Sequence, residues 1–245
     1  MKKIVLLVLC LAFVSGMWAQ KRVGQFSFIP RVGMNFSNLG DMDIHFANPE
    51  QDIMKSKVRT DVIAGAEVEY AVHKAVGVSL GAFYSRQGCH FKGYSMAEKI
   101  VDTQLTILQG IENHNVILQY INIPVQAKYR INEFLSLKTG LQCGVFLSGH
   151  RTFDWNYTEV KNGEVQKSQT ASQDEDYKDL CSKTVWSIPV GFEVEYEHVN
   201  ISVSYAIPLN GFAKETVLSI GGNNNSYRMS KGCNKVLSLT VGYRL

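Results

Sequence analysis

The sequence alternates apolar side chains with small or polar ones in eight separate segments, and the last segment continues to the final residue, Leu245. Side chains of a β-strand point alternately to its two faces, so a period of two predicts a strand with one apolar and one polar face. The eight segments cover residues 26–36, 62–70, 76–85, 121–130, 135–148, 186–197, 201–209 and 237–245. Each reaches about the 9–11 residues with which a tilted strand crosses a bilayer. The pattern therefore predicts an all-β fold.

The connections between these segments fall into two classes that alternate strictly along the chain. The tight turns lie at residues 72–75, 132–134 and 197–199, and the long polar connections at residues 38–59, 89–115, 152–183 and 211–232. Short turns on one side and long loops on the other are typical of outer-membrane barrels. The sequence predicts an eight-stranded antiparallel up-and-down transmembrane β-barrel with short periplasmic turns and long outer loops. Within the third loop, alternation on both sides of Asn162 and Gly163 predicts a hairpin that projects past the membrane.

The first residues have the layout of a secretory signal peptide. Lys2 and Lys3 precede an apolar run at residues 4–14, and a short segment of small and polar residues ends at Ala19. The apolar run is too short to span about 30 Å of hydrocarbon, so it does not predict a membrane anchor. We therefore expect cleavage of residues 1–19, a barrel domain at residues 20–245, and export to the bacterial outer membrane.

The polar face of the predicted strands carries acidic and basic side chains, whereas the opposite face is almost free of charge. The charged set is Arg31, Glu67, Glu69, Lys128, Arg130, Lys138, Glu193, Glu195 and Arg244. A soluble barrel of the lipocalin type has its apolar face inside, so this polarity favours a barrel surrounded by lipid. Buried charges are costly unless they are paired, and eight strands enclose a lumen just wide enough for side chains. We expect an interior charge network that closes the lumen, and a pore lining is the alternative.

Three stretches carry a family pattern: AGAEVEYAVHKAVGVSLGAFYSRQG at residues 64–88, YINIPVQAKYRINEFLSLKTGLQCG at residues 120–144, and LTVGYRL at residues 239–245. Together they resemble the PorT-like outer-membrane β-barrel family of Bacteroidetes. The resemblance implies an eight-stranded barrel in the outer membrane and no particular activity. The founding member of that family is linked to protein secretion, and no motif of this chain carries that role over.

Catalytic motifs are absent from the sequence, which contains no GxSxG, Walker A or HExxH pattern. The nearest candidate is His150 with Ser148, which strand parity places together on the inward face of the fifth segment. Serine is common in barrel interiors, so this pair favours a structural role. We expect no enzyme activity, no cofactor and no metal, with a lipid-modifying barrel enzyme as the alternative.

Three cysteines, Cys89, Cys181 and Cys233, fall near strand ends on the predicted outer side. An exported chain can oxidise such thiols, although spacing alone does not assign the pair. We expect one bridge among the three, with the pair of Cys181 and Cys233 ahead.

The formal net charge of +3, without a basic run, argues against nucleic acid as a partner. We expect a small outer-membrane barrel with a structural, adhesive or partner-binding role through its surface loops. Its partners are then outer-membrane lipid and a surface or envelope protein. A lipid-modifying enzyme, a narrow channel and a component of a protein secretion system are the alternatives.

Overall fold

Eight antiparallel strands close into a ring. A computed structural model describes residues 23–40, 56–100, 105–176, 178–213, 216–219, 226–229 and 232–245. Its strands are β1 (Phe26–Gly40), β2 (Ser56–Ala71), β3 (Val76–Phe91), β4 (Tyr94–Ile100), β5 (Leu105–Arg130), β6 (Leu135–Lys161), β7 (Glu164–Asp176), β8 (Thr184–Tyr196), β9 (Val199–Pro208), β10 (Thr216–Ser219), β11 (Ser226–Met229) and β12 (Cys233–Tyr243). The ring follows the order β1, β2, β3, β5, β6, β8, β9 and β12, and β12 pairs back with β1. The predicted eight-stranded up-and-down barrel is confirmed.

The ring closes where the first strand meets the last. Along β1, Arg31 lies opposite Gly242 and Gly40 lies opposite Cys233, with an unbroken register between them. Beyond the strand ends, Leu245 N donates to the Phe28 carbonyl oxygen at 2.9 Å. The alternation that runs to the final residue in the sequence is therefore the closing seam of the barrel, and no edge of the ring is left open.

Alternation along each strand separates an apolar outer wall from a polar interior. On β1, Val32 and Met34 are exposed, whereas Arg31 and Asn35 are buried. Outward apolar side chains recur on the other strands of the ring, among them Val68, Leu80, Val125, Leu141, Phe192, Val203 and Leu239. A wall of this kind is unfavourable in water and favourable in hydrocarbon, where the closed ring also satisfies the backbone.

Aromatic side chains gather at the end of the wall where the tight turns lie. The rings of Phe26 and Tyr70 are 4.8 Å apart, and those of Phe134 and Tyr196 are 6.4 Å apart. Tyr and Trp rings with one apolar and one polar edge favour the boundary between hydrocarbon and water. This aromatic band marks one membrane boundary of the barrel.

The three predicted tight turns are confirmed at the β2–β3, β5–β6 and β8–β9 connections. In the β5–β6 turn, Asn132 Oδ1 accepts hydrogen bonds from Phe134 N at 2.9 Å and Leu135 N at 2.7 Å. Glu197 reverses the chain between β8 and β9 with a positive φ of 53°.

A short 3-10 helix, Lys178–Leu180, precedes β8. The described part of the chain has no helix long and apolar enough to cross a membrane.

Two of the four predicted long loops are strands over most of their length, which corrects the sequence prediction. β5 has 26 residues and β6 has 27, so both continue far past the barrel, flanked by β4 and β7. We call the four-stranded sheet of β4, upper β5, upper β6 and β7 the outer projection. Its β6–β7 turn has Asn162 at φ 53° and Gly163 at φ 83°, as an Asn-Gly hairpin turn requires. The predicted hairpin is confirmed. The other two predicted loops, at residues 38–59 and 211–232, lie partly outside the described residues.

Candidate functional site

Strand alternation brings all nine charged residues of the predicted interior set into the lumen. Their side chains are directed inward from β1, β2, β5, β6, β8 and the end of β12. The backbone register places Lys128 directly opposite Lys138 on neighbouring strands. Like charges at such a position repel each other, so carboxylates must lie between them.

Two carboxylates, Glu67 and Glu193, form the upper tier of the network. Arg31 Nη2 lies 2.6 Å from Glu67 Oε1 and 2.5 Å from Glu193 Oε2. Lys138 Nζ lies 2.9 Å from Glu67 Oε2 and 3.3 Å from Glu193 Oε2. Each carboxylate of this tier therefore contacts at least two cations from different strands.

Glu69 and Glu195 form the lower tier, nearer the tight turns. Arg244 bridges them, with Nη2 at 2.7 Å from Glu69 Oε2 and Nε at 2.8 Å from Glu195 Oε1. Arg130 Nη2 lies 2.8 Å from Glu69 Oε1. Lys128 contacts Glu69 at 3.1 Å and also Glu193, so its ammonium group connects the two tiers.

These pairs are almost fully withdrawn from water. Glu193 is 0% exposed and Lys128 is 1% exposed. Moving a charge out of water costs several kcal/mol, which the mutual attraction offsets only when every charge keeps its partner. The network therefore holds six strands in one arrangement, and each carboxylate shares its charge with two or more cations.

Above the charges, the lumen contains a hydrogen-bonded layer and then an apolar layer. Asn35 Nδ2 donates to Ser85 Oγ at 2.8 Å, and Ser238 Oγ donates to Asn35 Oδ1 at 2.7 Å. The apolar layer, which we call the outer cluster, comprises Leu39, Cys89, Phe91, Val116, Leu118, Tyr120, Cys181, Phe212 and Ala213. Every member lies outside the eight segments predicted from the sequence, so sequence analysis missed it. The alternation of inward and outward side chains would have revealed the cluster only if the predicted strands had been extended beyond the membrane-spanning residues.

The catalytic candidate of His150 with Ser148 is wrong in its placement. Tyr120 pairs with Phe146 while Gln119 pairs with Ser148, so Leu147 is an extra residue that forms a β-bulge. The bulge reverses strand parity, which turns Ser148 and His150 to the outside. There the His150 Nδ1 atom lies 3.6 Å from an oxygen of Asp174 on β7, with about half of the imidazole exposed.

Metal ligation and disulfide formation are not seen in the described residues. Among them, no group of three His, Cys, Asp or Glu side chains is placed to hold a metal ion. The predicted disulfide between Cys181 and Cys233 is not formed in the structure. Cys181 is buried in the outer cluster, whereas alternation on β12 directs Asn234 inward and Cys233 to the other side of the wall.

The outer projection presents one aromatic face. Above the bulge, Phe153, Trp155 and Tyr157 share a side of β6, and the rings of Trp155 and Tyr157 stack at 5.6 Å. On the opposite side, Asp154 accepts hydrogen bonds from Asn113 and Ser172, which lower the pKa of its carboxyl group. Nearly every residue of β7 is exposed, so the projection offers both a face and a strand to the medium.

A buried histidine lies where the projection joins the barrel. The ring of His114 stacks on Phe91 at 4.6 Å, and Arg151 Nε donates to His114 Nε2 at 3.0 Å. Burial, with a smaller contribution from the positive charge of Arg151, lowers the pKa of His114 to about 3. The imidazole is therefore neutral at physiological pH, and its Nε2 atom accepts the hydrogen bond from the Arg151 guanidinium.

A closed antiparallel ring with an apolar wall and an ion-paired interior defines the class of outer-membrane β-barrel proteins. The profile of the outer membrane protein β-barrel domain matches residues 18–214. The chain belongs to this family, and it is a small β-barrel protein of the outer membrane.

Several solved outer-membrane barrels are similar to this chain at low sequence identity. Ail, the attachment invasion locus protein of Yersinia pestis, is 14% identical, with 91% of this chain and 100% of that chain covered and a TM-score of 0.39. OprG from Pseudomonas aeruginosa is 14% identical, with 91% and 97% covered and a TM-score of 0.37. A search of curated protein sequences finds no match. Likenesses at this level carry no conclusion about activity.

Proposed function

We propose that the protein is a closed membrane anchor that displays the outer projection to a partner outside the cell. The observation that carries this proposal is the contrast along β5 and β6. Below, the inward side chains of these strands fill the lumen. Above, the same strands continue into a sheet whose aromatic face is half-buried. A role in structure, adhesion or partner binding needs an anchor and a surface, and the chain has both.

The closed lumen favours an anchor over a channel. Ion pairs occupy its lower part, an amide and hydroxyl layer lies above them, and the outer cluster covers the upper part. Conduction requires a continuous water path, which three successive layers of side chains interrupt. We expect purified protein in planar bilayers to give no steady single-channel current. A steady current would favour the narrow channel instead.

The outer projection has a strand edge that an extended partner segment can bind and an aromatic face that a flat partner surface can bind. β7 is hydrogen-bonded to β6 along one side, and in the described sheet it is an edge strand. Exposed strand edges bind extended segments through backbone hydrogen bonds, while neighbouring side chains select the sequence. Aromatic residues such as Trp155 and Tyr157 are enriched in binding surfaces. The partner we propose is an envelope or surface protein.

We propose a cleaved signal peptide at residues 1–19, which lies outside the described residues, followed by the mature barrel at residues 20–245. The PorT-like resemblance of residues 64–88 and 120–144 supports membership of that bacteroidetal group, with a secretion component as the second candidate function. We propose no enzyme activity, because the bulge separates Ser148 and His150 from the lumen. Cells that express His150→Ala should then keep an unchanged lipid A profile.

Photo-crosslinking on intact cells tests the display function. A photo-reactive amino acid replaces Gln169, which lies opposite Tyr157 on the aromatic side of the projection, or Thr170, which points to the other side. Glu133, in a tight turn, is the matched control. We expect one discrete adduct from position 169 and none from position 133. Equal adducts from positions 169 and 170 would show that the aromatic face does not select the partner. Adducts from position 133 alone would show that the tight turns, and not the projection, face the outside of the cell.

A further inference from the structure

Arg31 has more hydrogen-bond donors than the charge network uses. Its guanidinium group carries five N–H donors in a fixed plane, and its Nη2 atom alone contacts both Glu67 and Glu193. Nε and Nη1 are buried and have no hydrogen-bond partner among the described residues, although the side chain is only 3% exposed. Burial of such donors without a partner is unfavourable. They therefore require an acceptor that the described residues do not supply.

A cavity lies beside these donors, above the upper tier of the network. Its volume is ≈ 60 Å³, and Arg31, Glu67 and Lys138 lie along its lower side. Amide and hydroxyl side chains form much of its remaining wall: Gln87, Asn122, Gln126, Gln142, Ser202 and Ser238. Since about 10–15 Å³ of this kind of space holds one water molecule, the cavity has room for a small ion with a few waters.

The charge balance around the cavity favours an anion. Of the charged residues that line the cavity, Arg31 and Lys138 are basic and Glu67 is acidic. Glu67 is the carboxylate that lines the cavity, and Arg31 and Lys138 already neutralise it from two sides. A buried excess charge is stabilised by a counterion in contact with it.

We propose that this cavity binds one small inorganic anion of halide size on the Nε and Nη1 groups of Arg31. Amide and hydroxyl groups of the wall turn to donate the remaining hydrogen bonds. The anion balances the positive charge of the cavity lining and fixes the guanidinium plane that holds Glu67 to Glu193. Chloride has the size and the charge for this site, and a larger anion such as gluconate does not fit.

Thermal unfolding in matched salts tests the site. Wild-type protein, Arg31→Lys and Arg244→Lys are unfolded in detergent in sodium bromide or sodium gluconate at equal ionic strength. Both variants keep the positive charge, but only Arg31 lines the cavity. We expect bromide to raise the Tm of wild type and of Arg244→Lys with saturation, as binding to the folded state requires. We expect no such rise for Arg31→Lys. A bromide effect equal in all three proteins would be a general salt effect and would overturn the proposal.

Anomalous diffraction from wild-type crystals grown in sodium bromide decides the case if Arg31→Lys does not fold. We expect a bromide peak within hydrogen-bonding distance of Arg31 Nε or Nη1. Ordered water at that position without an anomalous peak would overturn the proposal, because the donors would then be satisfied by a neutral molecule. Neither result depends on whether the outer projection binds a partner.

Discussion

The barrel interior and the outer projection are built from the same two strands, β5 and β6, yet they differ in what surrounds their side chains. In the interior, Lys128 and Lys138 contact carboxylates from other strands and are almost fully buried. In the projection, β7 pairs with β6 through its backbone while its side chains are exposed. A change in the interior is therefore transmitted to the whole ring, whereas a change in the projection stays local. The same strand can anchor a protein at one end and present a replaceable surface at the other.

The largest expected effect comes from a fully buried carboxylate with three cationic partners. Glu193 contacts Arg31, Lys128 and Lys138. Glu193→Gln therefore removes the negative charge that these three cations contact. We expect the free energy of unfolding to fall by about 3–5 kcal/mol, as for other broken buried pairs. Urea unfolding in lipid vesicles measures this loss of free energy. Glu133→Gln, in an exposed turn, is the control and should change little. A loss for Glu193→Gln no larger than the control would mean that the interior is hydrated.

A somewhat smaller effect is expected from the outer cluster. Leu118 is 0% exposed, so Leu118→Ala removes buried apolar contacts and leaves a cavity. We expect a loss of about 2–5 kcal/mol in the free energy of unfolding. Leu147→Ala removes the same atoms from an outward position that is 47% exposed and should cost less. Equal losses for both variants would show that the top of the lumen is not packed as described.

The junction between the two regions should respond to pH. The pKa of His114 is about 3 in the folded protein because the ring is buried, whereas an unfolded histidine titrates near about 6.5. The unfolded state therefore binds more protons between these values, and stability should fall as the pH decreases from about 6.5 towards 3. Hydrogen exchange of β5 and β6 at the junction, compared between pH 7 and pH 5, measures this loss. His114→Gln should remove the pH dependence, and a variant that keeps it would assign the effect to another group.

The smallest expected effect is confined to the tip of the projection. Gly163 has a φ of 83°, which a residue with a Cβ atom adopts at a cost of about 1–2 kcal/mol. Gly163→Ala should increase hydrogen exchange in the β6–β7 hairpin and leave the urea midpoint of the barrel unchanged. A shift of the barrel midpoint would mean that the two regions unfold together, and the contrast drawn above would fail.

The faces of the barrel strands were predictable because lipid enforces a period of two along every strand that crosses it. The same pattern assigned all nine interior charges to one face, from Arg31 to Arg244. The positions of Ser148 and His150 were not predictable in this way, because one extra residue at Leu147 reverses the parity and leaves no local mark in the sequence. The outer cluster was missed because Leu118 and Tyr120 lie between the predicted loop at residues 89–115 and the segment that begins at residue 121. Long-range packing, rather than a local strand propensity, makes those residues part of a strand.

The closing seam between β1 and β12 has a consequence for how the chain is made. The two strands stand at opposite ends of the described chain, and residues 31–40 pair with residues 233–242. Until the last strand is available, any partial sheet has two open edges whose backbone groups are unsatisfied in hydrocarbon. Pairing of β12 with β1 removes both edges in one step. The seam therefore joins backbone satisfaction in every strand of the ring to the formation of a single contact between distant parts of the chain.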